Sequence, residues 1–147
     1  MRYLLDTNVI SEMRKARTPK IDANVSDWTD TVDAGDMFIS AITILEIETG
    51  ILQILRKDKR QGDLLREWFT SMVLREFSGR VLPFDAETAI HCANLHVPDQ
   101  RSANDAMIAA TAFRHDMTVV TRNIKDFEGL GVKLVNPWEW QQSSIIS

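Results

Sequence analysis

The chain has 147 residues, of which 44% are hydrophobic and 26% are charged, so it can form one folded domain with a packed core. Its formal net charge of -4 argues against a protein that coats nucleic acid by bulk electrostatic attraction. The single cysteine, Cys92, excludes an intrachain disulfide and a cysteine-rich zinc site, and no stretch matches a signal peptide or a membrane span, so we expect a cytoplasmic protein.

The first predicted element is a short buried strand. Residues 3–5 form an apolar run without charge, which is typical of a strand covered on both faces of a sheet. Three small polar residues, Asp6, Thr7 and Asn8, follow directly. Because ligands of open α/β sheets bind beyond the carboxyl ends of the strands, Asp6 is a candidate site residue. It is an equally good N-cap for the helix predicted over residues 9–15.

The later elements alternate between helical and extended patterns. Helices are predicted over residues 22–32, 41–57, 63–77, 86–96, 104–116 and 125–131. Strands are predicted over residues 37–40, 80–84, 118–120 and 132–136. Pro83 lacks an N–H donor and therefore places the third strand at an edge of the sheet. The alternation predicts a three-layer α/β/α domain around a parallel sheet over residues 1–140, followed by a flexible tail, residues 141–147.

Helices 41–57 and 63–77 are predicted to form a hairpin. The apolar arc of the first helix consists of Ile44, Leu45, Ile47, Ile51, Leu52, Ile54 and Leu55. The apolar side of the second consists of Leu64, Leu65, Trp68, Met72 and Phe77. Each set shares one side of its helix, as expected for two amphipathic helices that pair.

Polar side chains recur near the strand ends. They are Asp6 after strand one, Glu46 in the helix after strand two, Asp105 in the helix before strand four, and Asn123 and Asp126 after strand four. If strands one, two and four are neighbours, these groups converge. Clustered carboxylates raise each other's pKa, and a hard divalent cation is the ligand that relieves the repulsion. Such an ion activates water and neutralises a phosphoryl oxygen.

Each of these acids has a structural alternative. Ser102 and Asp105 have the spacing of a capping box, so Asp105 also fits a helix start. Glu48 competes with Glu46, because the helical pattern alone selects Glu48 as a buried charge within the apolar arc, where an ion pair would satisfy it. Asp126 also fits an exposed helix surface.

Four segments resemble the successive motifs of PIN-domain nucleases, and among these the VapC/FitB-like toxins of bacterial type II toxin–antitoxin modules. They are YLLDTNVISE (3–12), FISAITILEIETG (38–50), NDAMIAATA (104–112) and VVTRNIKDFEGLGVKLVNPW (119–138). The resemblance covers nearly the whole chain, in the family's order and spacing. It implies a sheet in strand order 3-2-1-4-5 with the helical hairpin projecting from it.

The resemblance also implies the site residues. Asp6, Glu46 and Asp105 match the family's metal-binding catalytic acids, which selects Glu46 over Glu48. Mg²⁺ or Mn²⁺ is the implied cofactor. The remaining pocket residues are expected to be Thr7, Asn8, Thr121, Asn123 and Asp126. Asn123 stands where many PIN domains carry a fourth acid, so Asp126 is expected to contribute through water, and the choice between one and two metal ions stays open.

The implied function is a metal-dependent endoribonuclease that hydrolyses RNA phosphodiester bonds with a metal-activated water and acts as the toxin of a VapBC-type pair. The implied partners are RNA, a VapB-like antitoxin, a second copy of the chain and, through the antitoxin, operator DNA. Arg14, Lys15 and Arg122 are candidate contacts to RNA phosphates, and Arg122 also has the reach to pair with the acids.

Two alternatives remain open from the sequence. The first is a non-catalytic PIN-like binding module, which Asn123 makes plausible. The second is a phosphatase of the haloacid-dehalogenase type, whose chemistry needs a second aspartate at the position of Asn8.

Overall fold

A computed structural model describes residues 1–141, so all of the predicted tail except Gln141 lies outside the described residues. The strands are β1 (Tyr3–Leu5), β2 (Met37–Ser40), β3 (Val81–Leu82), β4 (Thr118–Val120) and β5 (Leu134–Val135). They form one five-stranded parallel sheet in the order β3-β2-β1-β4-β5. This confirms the predicted strand order and the edge position of β3. The domain boundary near residue 140 stays a prediction.

Helices follow the strands along the chain. They are α1 (Thr7–Met13), α2 (Ala23–Asp30), α3 (Ala41–Leu55), α4 (Lys59–Trp68), α5 (Leu74–Glu76), α6 (Ala86–Leu95), α7 (Ala103–Arg114) and α8 (Ile124–Phe127). Short 3₁₀ turns, Ala34–Asp36 and Pro137–Glu139, and a π-helical turn, Phe69–Val73, complete the regular structure. Within residues 1–141, no helix combines the length and hydrophobicity needed to cross a lipid bilayer.

The two faces of the sheet pack against different helices. Leu5 and Val120 lie in a core cluster with residues of α1, α2, α3 and the π-helical turn. Leu4 and Val119 lie in a second cluster, to which α7 and α8 contribute most of the helical residues. Successive strand residues therefore point to opposite faces, as the period of a β-strand requires. The result is the predicted three-layer arrangement.

The hairpin of α3 and α4 buries fewer of its apolar residues than the pattern predicts. Ile47 and Ile51 are buried, but Leu45 and Leu52 are 54% and 51% exposed. The predicted helix and its apolar arc are present, but only part of the arc is buried. Periodicity identifies residues that share a face, whereas burial also requires a neighbour, and α4 covers only one side of α3.

The second half of the hairpin differs because of the π-helical turn Phe69–Val73. A π turn adds a residue to the helix and rotates every following side chain about the axis. Phe69, Val73 and Phe77 consequently reach the core, while Met72 is 60% exposed. A regular helix would place Met72 on the same side as Trp68, and the π turn changes this alignment. Leu64, before the turn, is also exposed.

An ion pair joins the two helices of the hairpin. The Arg66 guanidinium donates to both carboxylate oxygens of Glu48, with 2.7 Å between Nη2 and Oε2. Both side chains remain about one-third exposed. The bond from Arg66 lowers the pKa of Glu48. Glu48 is therefore a partly exposed member of an interhelical pair, and not the buried charge that the helical pattern suggests.

Two glycines of the hairpin test its packing. A Cβ at Gly62 would overlap the Leu55 side chain and lie 3.0 Å from the Leu55 Cα, whereas one at Gly50 would meet nothing within 4 Å. We expect Gly62→Ala to lower the free energy of unfolding by about 1 kcal/mol, because the energetic cost of the steric overlap exceeds the free energy gained from helix propensity. Gly50→Ala, the matched control, should raise it by about 0.5–1 kcal/mol. Urea unfolding measures both, and equal stabilisation by the two changes would contradict the close packing.

Candidate active site

The candidate site lies beyond the carboxyl ends of β1, β2 and β4. These three strands are neighbours, with β1 in the centre of the sheet. Asp6 extends the ladder by one residue, because its backbone N–H donates to the Val120 carbonyl oxygen at 2.9 Å. Its carboxylate is therefore fixed at the central strand end, where the helices that follow β1 and β2 begin.

Hydrogen-bond donors hold the Asp6 carboxylate. The Thr7 backbone N–H donates to Oδ1 at 2.8 Å, which is the predicted helix cap. The Thr121 hydroxyl donates to Oδ2 at 2.8 Å, and the Asn8 amide donates to the same oxygen at 3.3 Å. Asp6 is only 6% exposed. Capping and site formation, the two alternatives from the sequence, are thus combined in one residue.

Glu46 is tied to the same group through Thr7. The Thr7 hydroxyl donates to Glu46 Oε1 at 2.8 Å and lies 3.5 Å from the hydroxyl oxygen of Thr43. Glu48, two residues further along α3, pairs with Arg66 instead. Glu46 is therefore linked to Asp6 through Thr7, whereas Glu48 contacts α4, the second helix of the hairpin.

Asp105 approaches from the first turn of α7. Ser102 is the N-cap residue but makes no side-chain hydrogen bond to the helix backbone, so the capping box suggested by the spacing is not formed; its side chain instead interacts with the Asp105 carboxylate. Electrostatic repulsion nevertheless links Asp105 to Asp6, Glu46 and Asp126. Asp105 therefore belongs to the acidic group as well as to the helix start.

Burial and mutual repulsion perturb these acids. Burial raises the pKa of Asp6 above its ordinary value, and the charges of Glu46 and Asp105 raise it further. The hydrogen bonds from Thr121 and Thr7 act in the opposite direction. The pKa of Asp105 is raised in the same way, by burial first and then by Asp126 and Glu46. The ionised group is thus costly without a positive charge beside it.

The donor set fits a hard divalent cation by charge and by ligand type. Carboxylate oxygens are what Mg²⁺ and Mn²⁺ prefer, and Mg²⁺ keeps several of its water ligands. Within residues 1–141, however, no three His, Cys, Asp or Glu side chains are close enough as placed to enclose an ion. Binding by the acids would therefore involve water as well as direct contacts, or an inward shift of the outer carboxylates.

The residues after β4 complete the polar pocket. The Asn123 backbone N–H donates to the Thr121 hydroxyl oxygen at 3.0 Å, which fixes the turn. The Asp126 N–H donates to the Asn123 carbonyl oxygen at 3.1 Å, at the start of α8. Asp126 contributes the largest charge repulsion on Asp105. Asp126 is exposed on α8, as its surface alternative predicts, and its charge acts on Asp105 from there, while its role in a metal pocket stays a prediction.

The three side chains predicted to contact RNA phosphates lie in different environments. The Arg14 guanidinium lies 5.9 Å from the centre of the Trp68 ring and lines a cleft of about 740 Å³ beside the π-helical turn. Lys15 Nζ is 3.0 Å from Glu12 Oε1. Arg122 donates its backbone N–H to Asn8 Oδ1 at 3.3 Å, beside the acidic group. Of the three, Arg122 is joined most directly to the pocket.

Sequence reasoning missed the role of Glu12. This residue is only 9% exposed, and its Oε2 accepts the Asp22 N–H at 2.8 Å. The available signal was its spacing: Glu12 lies three residues after the buried Val9 and three before Lys15. A carboxylate on the buried side of a short helix, with a cation one turn away, indicates an internal ion pair.

Comparison with known proteins agrees with this geometry. The sequence profile of the PIN domain matches residues 3–132. The chain is 36% identical to Toxin FitB of Neisseria gonorrhoeae, an alignment that covers 92% of this chain and 97% of FitB. It is also 36% identical to VapC ribonuclease Y4jK of Sinorhizobium fredii, over 92% of this chain and 97% of that protein.

The fold agrees with a solved structure of a related protein. The crystal structure of FitAcB from Neisseria gonorrhoeae superposes with a TM-score of 0.81 and 34% identity, covering 93% of this chain and 99% of that chain. The strand order, the matched segment and these relatives lead to one assignment. The chain belongs to the PIN-domain family.

Proposed function

We propose that this protein is a divalent-metal-dependent endoribonuclease and the toxin of a VapBC-type toxin–antitoxin pair. The observation that carries the proposal is the acidic group at the end of the central strand, where Thr7 contacts both Asp6 and Glu46 and the charges of Glu46 and Asp105 act on Asp6. Its support is that relatives over 92% of the chain are named as a VapC ribonuclease and a FitB toxin. Family membership also removes the ground for a haloacid-dehalogenase-type phosphatase.

In this proposal Asp6, Glu46 and Asp105 hold Mg²⁺ or Mn²⁺. When bound, such a cation activates water and neutralises charge on the phosphodiester. Thr121 and Asn8 orient the Asp6 carboxylate, and Thr7 orients Glu46. The supporting pocket is completed by two residues after β4, Asn123 and Asp126.

The charge of the pocket supports a metal-assisted reaction. Burial raises the pKa values of Asp6 and Asp105, and repulsion by nearby carboxylates raises them further. An RNA phosphate would be repelled by the same group. A divalent cation reverses the local charge, so one ion both relieves the repulsion and attracts the substrate.

The proposed partner is a VapB-like antitoxin. A solved FitAB structure, to which this chain is 36% identical with a TM-score of 0.82, is described as bound to a DNA fragment. By analogy, we expect the antitoxin to carry the contacts to operator DNA. An antitoxin arginine or lysine placed in the acidic pocket would compete with the cation.

We also propose a homodimer, which with antitoxin would form a heterotetramer or a larger assembly. Leu45 and Leu52 of α3 and Leu64 of α4 are each more than half exposed. Exposed leucines grouped on a helical hairpin are typical of a surface that another protein covers. A second copy of the chain would bury them.

The nuclease proposal is tested with a matched pair of variants on α3. Glu46→Gln should lower kcat/KM on structured RNA in Mn²⁺ at least about 100-fold, a loss of about 2.7 kcal/mol of transition-state stabilisation. Glu48→Gln removes the same charge two residues away and should stay within about threefold. Asp6→Asn and Asp105→Asn should behave like Glu46→Gln, and calorimetry should show weakened Mn²⁺ binding by all three.

Two outcomes would contradict the assignment. Cleavage by the wild type that survives EDTA and all three substitutions would indicate a contaminating nuclease. Unchanged partner binding by variants that bind no Mn²⁺, with no cleavage by the wild type, would favour the non-catalytic binding module.

The raised pKa values predict how stability depends on pH. The folded protein takes up protons on Asp6 and Asp105 at higher pH than the unfolded chain does. This contribution to stability is absent at neutral pH and appears as the pH falls through the raised values toward the ordinary one. In EDTA at pH 7, Asp105→Asn should therefore raise Tm by roughly 2 °C. The difference should shrink on acidification, and a lower Tm for the variant at pH 7 would contradict the repulsion.

The proposed dimer surface has its own test. Leu52→Asp should convert the protein to a monomer in light scattering, because it places a charge among the exposed leucines of the hairpin. Ile90→Asp, at a position that is 69% exposed on α6, is the control and should leave the mass unchanged. A monomeric wild type, or an unaffected Leu52→Asp dimer, would exclude the hairpin as the interface.

A further inference from the structure

Arg101 directly precedes the helix that carries Asp105. The next residue, Ser102, is the N-cap of α7, and Asp105 lies in the first turn of that helix. The Ala106 N–H donates to the Ser102 carbonyl oxygen at 2.9 Å, so the helix is regular from its first turn. Because one helical turn spans 3.6 residues, the main chain of Arg101 is about one turn away from Asp105, at the edge of the acidic pocket.

Hydrogen bonds fix both the main chain and the side chain of Arg101. Its backbone N–H donates to His96 Nδ1 at 3.0 Å. Its guanidinium donates from Nη2 to the carbonyl oxygen of Glu128, the C-cap residue of α8, at 2.6 Å. Carbonyl groups at a helix end lack an intrahelical partner, and an arginine is a common donor to them. The guanidinium is therefore held between the start of α7 and the end of α8.

The charge of Arg101 has no carboxylate partner in the part of the chain that the structure describes. Within residues 1–141, none of the ion pairs includes Arg101. Arg66 and Arg114, by contrast, pair with Glu48 and Glu87. A backbone carbonyl is neutral and accepts from only one of the five N–H donors of a guanidinium. The side chain is partly exposed, so its other donors can meet an anion from solution.

The positive charge of Arg101 acts on the acidic pocket without neutralising it. Burial raises the pKa of Asp105, the Ser102 hydrogen bond lowers it, and the charges of Asp126 and Glu46 raise it again. The charge of Arg101 lowers this pKa, but the pKa remains above its ordinary value. Arg101 thus leaves unrelieved the repulsion that a divalent cation would relieve.

We propose that Arg101 binds a backbone phosphate of the RNA beside the phosphate that is cleaved. The Glu128 carbonyl orients the guanidinium, and the N–H donors that remain meet the phosphate oxygens, a pairing that suits the planar guanidinium. The cleaved phosphate lies at the cation, and the contact with Arg101 holds the adjoining nucleotide at the rim of the pocket. The inference rests on the proposed nuclease function, because it names a further residue that binds the same substrate.

Arg2 provides a matched control at the opposite edge of the sheet. Its Nη2 donates to the carbonyl oxygen of His115, the C-cap residue of α7, at 2.8 Å. Replacing either arginine by glutamine therefore removes one positive charge and one hydrogen bond to a helix end. Arg2 precedes β1 and Asp6 follows it, so at about 3.3 Å per residue the two lie roughly 13 Å apart.

The first experiment measures kcat and KM on a short fluorescein-labelled RNA in Mn²⁺. We expect Arg101→Gln to raise KM roughly three- to tenfold with kcat within about twofold, because a contact to a flanking phosphate is the same in the ground state and the transition state. Arg101→Met, a second neutral variant with an apolar stem, should behave in the same way. Arg101→Lys keeps the charge and should stay within about twofold in KM, as should Arg2→Gln.

The salt dependence of RNA binding distinguishes a phosphate contact from a structural role. The Kd for the same RNA is measured by fluorescence anisotropy over a series of KCl concentrations, in Mn²⁺ and in the Glu46→Gln background, where we expect the RNA to stay intact. Loss of one phosphate contact on single-stranded RNA should lower the slope of log Kd against log[KCl] by about 0.7. Arg101→Lys and Arg2→Gln should keep the original slope. A change in packing alone would alter Kd but not this slope.

Three results would overturn the inference: an unchanged salt slope for both neutral variants, equal effects of Arg101→Gln and Arg2→Gln, or a weakened affinity of Arg101→Gln for Mn²⁺ alone in calorimetry. The last would show that Arg101 supports the acids and not the RNA. A wild type that binds RNA but does not cleave it would refute the proposed function alone, and the salt slope would still decide whether Arg101 contacts a phosphate. Thermal unfolding verifies that every variant is folded.

Discussion

The burial of one carboxylate at the end of the central strand is the constraint on which the rest of the site depends. Asp6 is almost fully enclosed, and desolvation raises its pKa. Donors from the next helix and from the end of β4 offset part of this cost. The charges of Glu46 and Asp105 increase the cost of ionising Asp6 again. Concentrating like charge in this way destabilises the ionised form of the group, and a compensating cation of the kind proposed above would relieve the same repulsion.

The parallel sheet explains how residues so far apart in sequence reach one point. Neighbouring parallel strands end at the same edge, and β1 lies between β2 and β4. Asp6 ends the first, Glu46 follows the second, and Thr121 follows the fourth. The connection from β1 to α1 is short, because Asp6 is the residue between them and also caps α1. The carboxylate that caps α1 also interacts with the charges of Glu46 and Asp105, so capping and membership of the acidic group are compatible.

Much of the fold could be predicted from local pattern, because strand ends, caps and the edge proline are local signals. The strand order and the choice of Glu46 over Glu48 required the family resemblance, since both glutamates lie on the same helix. The structure gives the physical reason: Arg66, on a different helix, pairs with Glu48. The exposure of Leu45 and Leu52 depends on what covers the hairpin, and the outward rotation of Met72 depends on a π turn. No single-residue signal identifies either feature.

The placement of the cations shows how an acidic protein can handle an anionic polymer. Its positive charges are not spread evenly, since several are held by carboxylates outside the pocket: Lys15 by Glu12, Arg66 by Glu48 and Arg114 by Glu87. A cation with such a partner is already restricted in its orientation. It therefore loses less conformational entropy than a free side chain when it contacts a further group. The guanidinium groups of Arg14 and Arg122 are placed differently, over the Trp68 and Trp138 rings. The distribution of charge over a few side chains, and not the net charge, therefore decides which cations an anionic partner meets.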